Sequence, residues 1–312
     1  MGKYIVQRLL SVVLTLLCIV TLTFFLMHAI PGGPFTREKP LPEAIVKALN
    51  EKYHLDDPVY QQYFDYLKDL LHGDMGPSFI HKNRTVNEML GNGFPMTARL
   101  GVVSILLTIA LAIPLGMIAA LKRGRWQDTT IMILATLGVC MPSFVVATLL
   151  IYVFCIKLGW FNVISGSLDS LKAYILPVIA LSGSSIAYIV RLMRSSMLDS
   201  LGQDYIRTAR AKGLSEVRVM MKHAFKNAVI PVITYLGPMA AGVLTGSFVI
   251  EKMFTIPGMG KFYVESINSR DYTMIMGATI FYATLLVILN FVVDLAYSAV
   301  DPRIKLSSVK EG

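Results

Sequence analysis

Residues 204–229 read DYIRTARAKGLSEVRVMMKHAFKNAV. This basic stretch lies between apolar runs that cannot stay in water, and it divides at Gly213 into two short helical segments. Asp204 is placed to cap the first, which is expected to run to Lys212, and Ser215 is placed to cap the second. In the second segment Val217, Met220, Met221, Ala224, Phe225, Ala228 and Val229 share one helical face. Arg218, Lys222 and Lys226, at i, i+4 and i+8, form a basic stripe elsewhere on it. Two uses fit this second helix: an interfacial helix on acidic lipid head groups, or a surface for a soluble partner. Tyr205, Ile206 and Ala209 add an apolar patch to the first segment, which favours a partner for the hairpin as a whole.

The chain around it is built for a bilayer. Of its 312 residues, 54% are hydrophobic, and the mean hydropathy is +0.60. Helices of about 18 or more apolar residues are long enough to cross a hydrocarbon core of about 30 Å. Five runs qualify: Leu9–Ile30, Leu100–Leu121, Thr130–Ile156, Ala228–Ile250 and Met274–Val300. A sixth, Ala173–Val190, is interrupted by Pro177 and Gly183, breakers that membrane helices tolerate when neighbours satisfy the freed backbone. The runs are too long and continuous for barrel strands. The expected fold is an all-α integral membrane protein of six transmembrane helices. The first run follows Lys3 and Arg8 as a signal peptide would, but it is longer than a signal core and no A-x-A site follows; it reads as a retained anchor.

Charge placement orients the spans. Sixteen of the 29 Lys and Arg fall on one side: near the N-terminus, at 122–125, across 191–226 and after residue 300. By the positive-inside rule that side is cytoplasmic, so both termini are expected inside the cell. The net charge of +9 then reads as topology, and basic loops tied to membrane spans argue against a nucleic-acid partner. Residues 31–99 form a long extracytoplasmic insert after helix 1. In it Asp57 and Pro58 mark a helix start, and Tyr60, Tyr63, Phe64, Leu67, Leu70 and Leu71 repeat at helical spacing up to Gly73. Ile45, Leu49 and Tyr53 point to a shorter helix before it. Thr85 and Glu88 have capping-box spacing, with Gly91 a stop. The insert is too small to bury a core alone and is expected to rest on the outer ends of the spans. Three segments are expected: an anchor with its insert (1–94), a membrane core (95–300) and a cytoplasmic tail (301–312).

Within the spans, Ser182, Ser184, Ser185 and Tyr188 make the fourth comparatively polar, and Asn290 and Asp294 do the same for the sixth. Asp294 lies near the cytoplasmic end, where interfacial solvation accounts for it. Gly242 and Gly246 allow close helix contact in the fifth span, and Pro238 can kink it. After that span, Ile256-Pro-Gly-Met-Gly260 cannot continue a helix; it is either a bent, re-entrant element or an ordinary surface turn. Cys18, Cys140 and Cys155 sit inside apolar runs and give no disulfide framework or metal motif. The five histidines show no ligand spacing. No serine, cysteine or paired-carboxylate constellation points to catalysis. Gly260-Lys261 fails as a P-loop, because Thr255 stands where the first glycine should and Phe262 follows the lysine.

The chain resembles the permease subunits of bacterial ABC importers, specifically the oligopeptide-permease type B subunit. Tyr205–Leu214, YIRTARAKGL, and Lys222–Ala224 match the peptide-importer form of the family's cytoplasmic signature. The general signature, roughly E-A-A-x3-G-x9-I-x-L-P, is matched in part: Arg207-Thr208-Ala209 takes the E-A-A place and Gly213 the glycine, while the acidic residue, isoleucine and proline are absent. Ala29–Pro34, Gly73–Phe79, Met141–Phe144, Thr245–Glu251, Phe254–Gly260, Arg270–Tyr272 and Asp301–Arg303 are also family-like. The resemblance implies that the hairpin docks into a groove of a separate ATPase through Tyr205, Arg207, Ala209, Arg210, Ala211, Gly213 and Leu214. It implies an outer gate at Phe254, Pro257, Gly258 and Gly260. It also implies the bacterial cytoplasmic membrane as location, no cofactor in this chain, ATP and Mg bound by two cytoplasmic ATPase subunits, a second homologous permease, an extracytoplasmic peptide-binding protein and a peptide substrate. Gly76-Pro-Ser-Phe79 leans towards oligopeptides over the dipeptide, nickel or glutathione importers of the same architecture.

Overall fold

The computed structural model describes residues 2–30, 47, 50–51, 54–162 and 171–300. Among them the regular structure is helical: α1 (Gly2–Ala29), α2 (Val59–Leu71), α3 (Val86–Leu121), α4 (Trp126–Cys140), α5 (Ser143–Leu150, extended by a π-helical turn Ile151–Lys157), α6 (Leu171–Leu201), α7 (Asp204–Ala211), α8 (Glu216–Arg218, Val219–Ala224 and Phe225–Ala228 in succession), α9 (Ile230–Met253), α10 (Met259–Ser269) and α11 (Tyr272–Val300). Five helices are long and apolar enough to cross a membrane, and a sixth span results if α4 and α5 count as one. The chain is thus an all-α integral membrane protein.

The third apolar run is not a continuous helix. It breaks at Met141 and Pro142, and α4 and α5 bend by 104° across the break. Hydropathy is blind to this, because a re-entrant or broken span needs as much apolar surface as a straight one. The physical cause is Pro142: it has no N–H to continue α4 and its fixed φ suits the start of the next helix.

Contacts divide the chain after Thr97, Ile256 and Ile288 into two units. In the first, α2 lies along the last turns of α1. Tyr63 and Thr21 share a hydrogen bond of 2.7 Å between their hydroxyls, and His28 Nε2 lies 3.1 Å from Gln62 Oε1. Phe24 packs against the Tyr63 and Tyr66 rings. The insert helix therefore rests on the last turns of α1. Gly73 ends α2 in the left-handed conformation, φ 78°. Asp57 does not cap this helix; Pro58 holds the cap position with no side-chain bond. Thr85 does cap α3, accepting the Glu88 N–H at 3.2 Å, whereas Glu88 turns to Arg84. Gly91 stops nothing: α3 runs through it to Leu121, 36 residues or about 54 Å at 1.5 Å per residue. The expected helix at Ile45, Leu49 and Tyr53 lies outside the described residues, and so does the side chain of Asp294.

In the second unit α6 is the hub. It packs against α4, α5, α9 and the α8 segments, burying Leu181, Ala187, Ile189, Val190, Met193 and Met197. The α3–α6 crossing is close: a Cβ on Gly116 would fall 2.6 Å from Met193 Cβ and 2.9 Å from the Val190 carbonyl. A Cβ added at Gly242, which the spacing proposed for such a contact, would meet no atom within 4 Å.

Candidate functional site

The hairpin leaves α6 through Gly202 and Gln203. Gln203, not Asp204, is the residue before α7; Asp204 is its first helical residue, where a carboxylate still complements the helix dipole. Ile206 and Ala209 are buried, so most of the predicted apolar patch on α7 packs against the chain itself. Tyr205 remains 39% exposed.

The turn between the two arms is closed by backbone bonds. Gly213 takes φ 76°, a conformation open to glycine at little steric cost. Its N–H donates to the Arg210 carbonyl at 2.9 Å, and the Leu214 N–H reaches back to Ala209 at 3.4 Å. Two side-chain bridges then join the arms. Arg210 donates through Nε and Nη2 to both Glu216 carboxylate oxygens, at 2.8 and 3.1 Å. Asn227 Nδ2 donates to the Tyr205 hydroxyl at 2.8 Å. One bridge braces the turn and the other braces the root. The polar atoms of Tyr205 and Arg210 are thus engaged within the hairpin, whereas the Arg207 side chain is 78% exposed beside Asp204. Ala211 and Gly213 are exposed and Leu214 is half-buried.

Ser215 holds the cap position of α8 without a side-chain bond. Val219–Ala224 is π-helical, and its wider turn advances the buried face by five residues. Val219, Ala224 and Ala228 are buried as a result, while Val217 and Met221, assigned to the apolar face at α-helical spacing, are 66% and 48% exposed. Two apolar side chains therefore join Arg218, Lys222 and Lys226 on the outward surface.

Behind the hairpin, in the same unit, a carboxylate missed by sequence reading fixes α4 to α6. Arg194 Nε and Nη2 donate to Asp128 Oδ1 and Oδ2 at 2.6 and 2.7 Å. The Gly124 N–H also donates to Oδ2, at 3.0 Å. Sixty-six residues separate the partners, so no local pattern could have paired them.

The Phe254–Gly260 segment is bent, not helical. Phe254 caps the end of α9, is buried and forms one wall of a small pocket with Phe161, Leu176 and Pro177. Thr255 follows in the left-handed region at φ 54°, a strained position for a β-branched residue. The Ile256 N–H bonds back to the Glu251 carbonyl at 2.8 Å. Pro257 is exposed, whereas Gly258 and Gly260 are buried. In the first unit, Gly258 opens α10, and the Met259 N–H donates to Thr97 Oγ1 at 3.0 Å. Gly93 makes this approach possible, since a Cβ there would lie 2.9 Å from the Met259 nitrogen and 3.0 Å from the Gly258 carbonyl carbon.

Two motifs noted separately in the sequence also meet in that unit. Ser78 donates to buried Asp271, which also accepts the Phe79 N–H at 3.2 Å and the Thr273 hydroxyl at 3.0 Å. Thr273 contacts the Pro77 carbonyl as well, at 2.6 Å. The Gly76–Phe79 segment is therefore committed to holding the start of α11. Among the described residues no group of His, Cys, Asp or Glu is arranged to hold a metal ion.

Comparison with known proteins agrees with this architecture. Residues 112–306 match the family of binding-protein-dependent transport system inner membrane components, and residues 1–101 match the N-terminal model of the corresponding membrane components. The chain is 50% identical to the dipeptide transport system permease protein DppB of Bacillus subtilis (strain 168), over 98% of this chain and 99% of that one. It is 44% identical to the oligopeptide transport system permease protein OppB of Escherichia coli (strain K12), over 98% of this chain and all of that one. The fold resembles a chain from inward-facing crystals of the MetNI methionine ABC transporter, with TM-score 0.56 and 15% identity over 68% of this chain and 96% of that one. An amino acid ABC transporter crystallised with histidines gives TM-score 0.50 and 17% identity over 68% and 94%. The chain belongs to the binding-protein-dependent transport system inner membrane components, the multi-pass permease subunits of ABC importers, in which separate subunits carry the ATPase.

Proposed function

We propose that this chain is one of two homologous permease subunits of a bacterial importer that carries peptides inward across the cytoplasmic membrane. The observation that carries the cargo class is its near full-length identity with a dipeptide permease and an oligopeptide permease. The cargo class covers dipeptides and longer peptides, and Gly76–Phe79, occupied with α11, is not the element that selects between them. Two ATPase subunits on the cytoplasmic side bind ATP and Mg, and an extracytoplasmic peptide-binding protein delivers the cargo. Residues 1–94 serve as anchor and insert, 95–300 as the permease core and 301–312 as a cytoplasmic tail.

The hairpin is the docking element, through Tyr205, Arg207, Ala209, Arg210, Ala211, Gly213 and Leu214. Its two cross-arm bridges support this reading, since a braced element transmits displacement where a loose one would yield. Buried Ala209 sets the packing of α7, and exposed Arg207 is the outward cation for the partner. Phe254, Pro257, Gly258 and Gly260 form the outer gate, supported by the strained backbone between α9 and α10.

The test is uptake by the complex reconstituted with its partner chains. Uptake should cease without ATP and persist with a proton ionophore; the reverse pattern would identify a secondary transporter. A short flexible insertion at Gly213 should leave the protein in the membrane yet separate ATP hydrolysis from uptake. Normal transport by that variant would refute docking there.

A further inference from the structure

We infer that the exposed faces of α6 and α9 form one wetted wall of the transport pathway, and that the stacked rings of Tyr188 and Tyr235 are its contact platform for bulky apolar peptide side chains. The inference rests on the peptide-transport reading and names residues for it.

On α6, Ser184, Tyr188 and Arg191 recur at i, i+4 and i+7 and are all exposed, while Ala187, Val190 and Met193 face the helix packing. On α9, Thr234, Pro238 and Gly242 recur at i, i+4 and i+8 and are also exposed. The two stripes are joined where Tyr188 meets Tyr235, with ring centroids 4.2 Å apart and planes inclined by 31°. Tyr188 is nevertheless 44% exposed, so the stack offers ring surface outward.

Lipid is a poor cover for this face. The exposed side of α1 shows what lipid requires, with Leu9, Leu10, Val13, Leu14 and Leu17 in succession. The α6–α9 face instead carries hydroxyls, with the Arg191 cation at its cytoplasmic end. It also carries the Thr234 carbonyl, to which Pro238 has no N–H to offer. Hydrocarbon satisfies neither that carbonyl nor the Ser184 hydroxyl. A second helix laid on the cytoplasmic end of the face would bury Arg191, which has no carboxylate within ion-pair distance among the described residues. Burying a charge without a partner is strongly unfavourable. Arg194, one turn on, shows the alternative, for it is part-buried and paired with Asp128.

Water and a passing peptide meet every demand of the face. The Ser184 and Thr234 hydroxyls can exchange hydrogen bonds with peptide amides of any sequence. The Thr234 hydroxyl already donates to Ile230, which leaves its lone pairs free to accept. The tyrosine faces hold aliphatic and aromatic side chains by contact area and edge-to-face geometry. The stretch around Gly242 is open, since a Cβ added there would meet no atom within 4 Å, so a side chain resting on the rings has room.

The experiment uses the full complex in proteoliposomes with Cys18, Cys140 and Cys155 replaced by alanine. Ser184→Cys and Thr234→Cys are treated with a charged, membrane-impermeant methanethiosulfonate from both sides, with Leu14→Cys as the lipid-facing control. Reaction at 184 and 234 should be at least tenfold faster than at 14, and a transported peptide should slow it. Equal, slow reaction at all three sites would overturn the inference. A lipid-soluble maleimide that then labelled 184 and 234 would assign the face to lipid, and protection from both reagents would assign it to a neighbouring subunit. Tyr188→Ala should reduce uptake of phenylalanine-rich peptides at least fivefold relative to alanine peptides of equal length, and Tyr188→Phe should preserve the ratio. Equal loss for both peptides would remove the platform role. Because thiol labelling needs no turnover, a complex that labels as expected but moves no peptide would refute the transport reading and leave the wetted wall intact.

Discussion

Arg194 grips both carboxylate oxygens of Asp128, at 2.6 and 2.7 Å, and so ties the first turn of α4 to the end of α6. The Asp128 side chain is 7% exposed and that of Arg194 is 24% exposed. Removing one partner strands the other in a site with little water. Asp128→Ala should therefore destabilise the protein by about 3 kcal/mol, at the lower end of the cost of breaking a buried ion pair. Replacing both, as Asp128→Leu with Arg194→Met, should recover most of that loss, because apolar pairs of similar volume are often neutral. Thermal unfolding of the purified chain in detergent measures both. A double variant no more stable than Asp128→Ala would contradict this account.

Gly93 and Gly91 make a matched pair on α3. A Cβ at Gly93 would press on the Gly258–Met259 backbone at 2.9–3.0 Å, whereas one at Gly91 meets nothing within 4 Å. Backbone cannot swing aside as a side-chain tip can, so Gly93→Ala should cost about 1–3 kcal/mol, as overpacking does. Gly91→Ala should instead add about 0.5–1 kcal/mol through helix propensity. Melting temperatures of the two variants should move in opposite directions, and Gly93→Ala should also loosen α10, seen as faster proteolysis between Ile256 and Arg270.

What the sequence disclosed and what it withheld follow one physical line. The spans, the Gly213 turn and the insert helix were legible because each is written in consecutive residues as an apolar run, a glycine between two short helical segments or a 3.6-residue repeat. The break at Met141–Pro142 was hidden inside a run whose apolarity is the same either side of it. The buried face of α8 was misassigned at Val217 and Met221 because the π-helical turn Val219–Ala224 does not keep α-helical spacing. Pairs such as Asp128–Arg194 and Ser78–Asp271 join residues distant in sequence, and only the packed helices bring them together. The family resemblance implies partner contacts at Tyr205 and Arg210. Their polar atoms bridge the hairpin arms, a role invisible until both arms are placed.

The Arg210–Glu216 bridge predicts a graded effect on coupling. Glu216→Gln keeps one acceptor for Arg210 and removes the charge, while Glu216→Ala removes both. The pair is exposed, so its worth to stability is small, about 0–1 kcal/mol. Melting should barely change. If a braced turn transmits force, uptake per ATP hydrolysed should fall more for Glu216→Ala than for Glu216→Gln. Gly213→Ala, forced to φ 76°, should cost about 1 kcal/mol of local strain and lower the same ratio. Unchanged uptake per ATP in all three would show that the brace has no part in coupling.

Thr255 sits where a helix C-terminus ordinarily takes glycine. The Ile256 N–H returns to the Glu251 carbonyl at 2.8 Å and the Thr255 N–H to Lys252 at 3.3 Å, with Thr255 between them at φ 54°. Glycine at this position closes the same two bonds without a Cβ penalty. For threonine the left-handed conformation costs about 1–2 kcal/mol. Thr255→Gly should therefore raise stability, against which the looser unfolded chain subtracts part of the gain, leaving a rise in melting temperature of about 2 °C. Thr255→Val keeps the branch and the strain and should give no rise. Strain held in the segment linking α9 to α10 lowers the cost of changing its conformation, so relieving it should deepen whichever state the left-handed turn belongs to. The expected signature is a more stable Thr255→Gly protein with slower peptide uptake at unchanged assembly with its partner chains. A variant that is both more stable and equally fast would mean that the strain is incidental to transport.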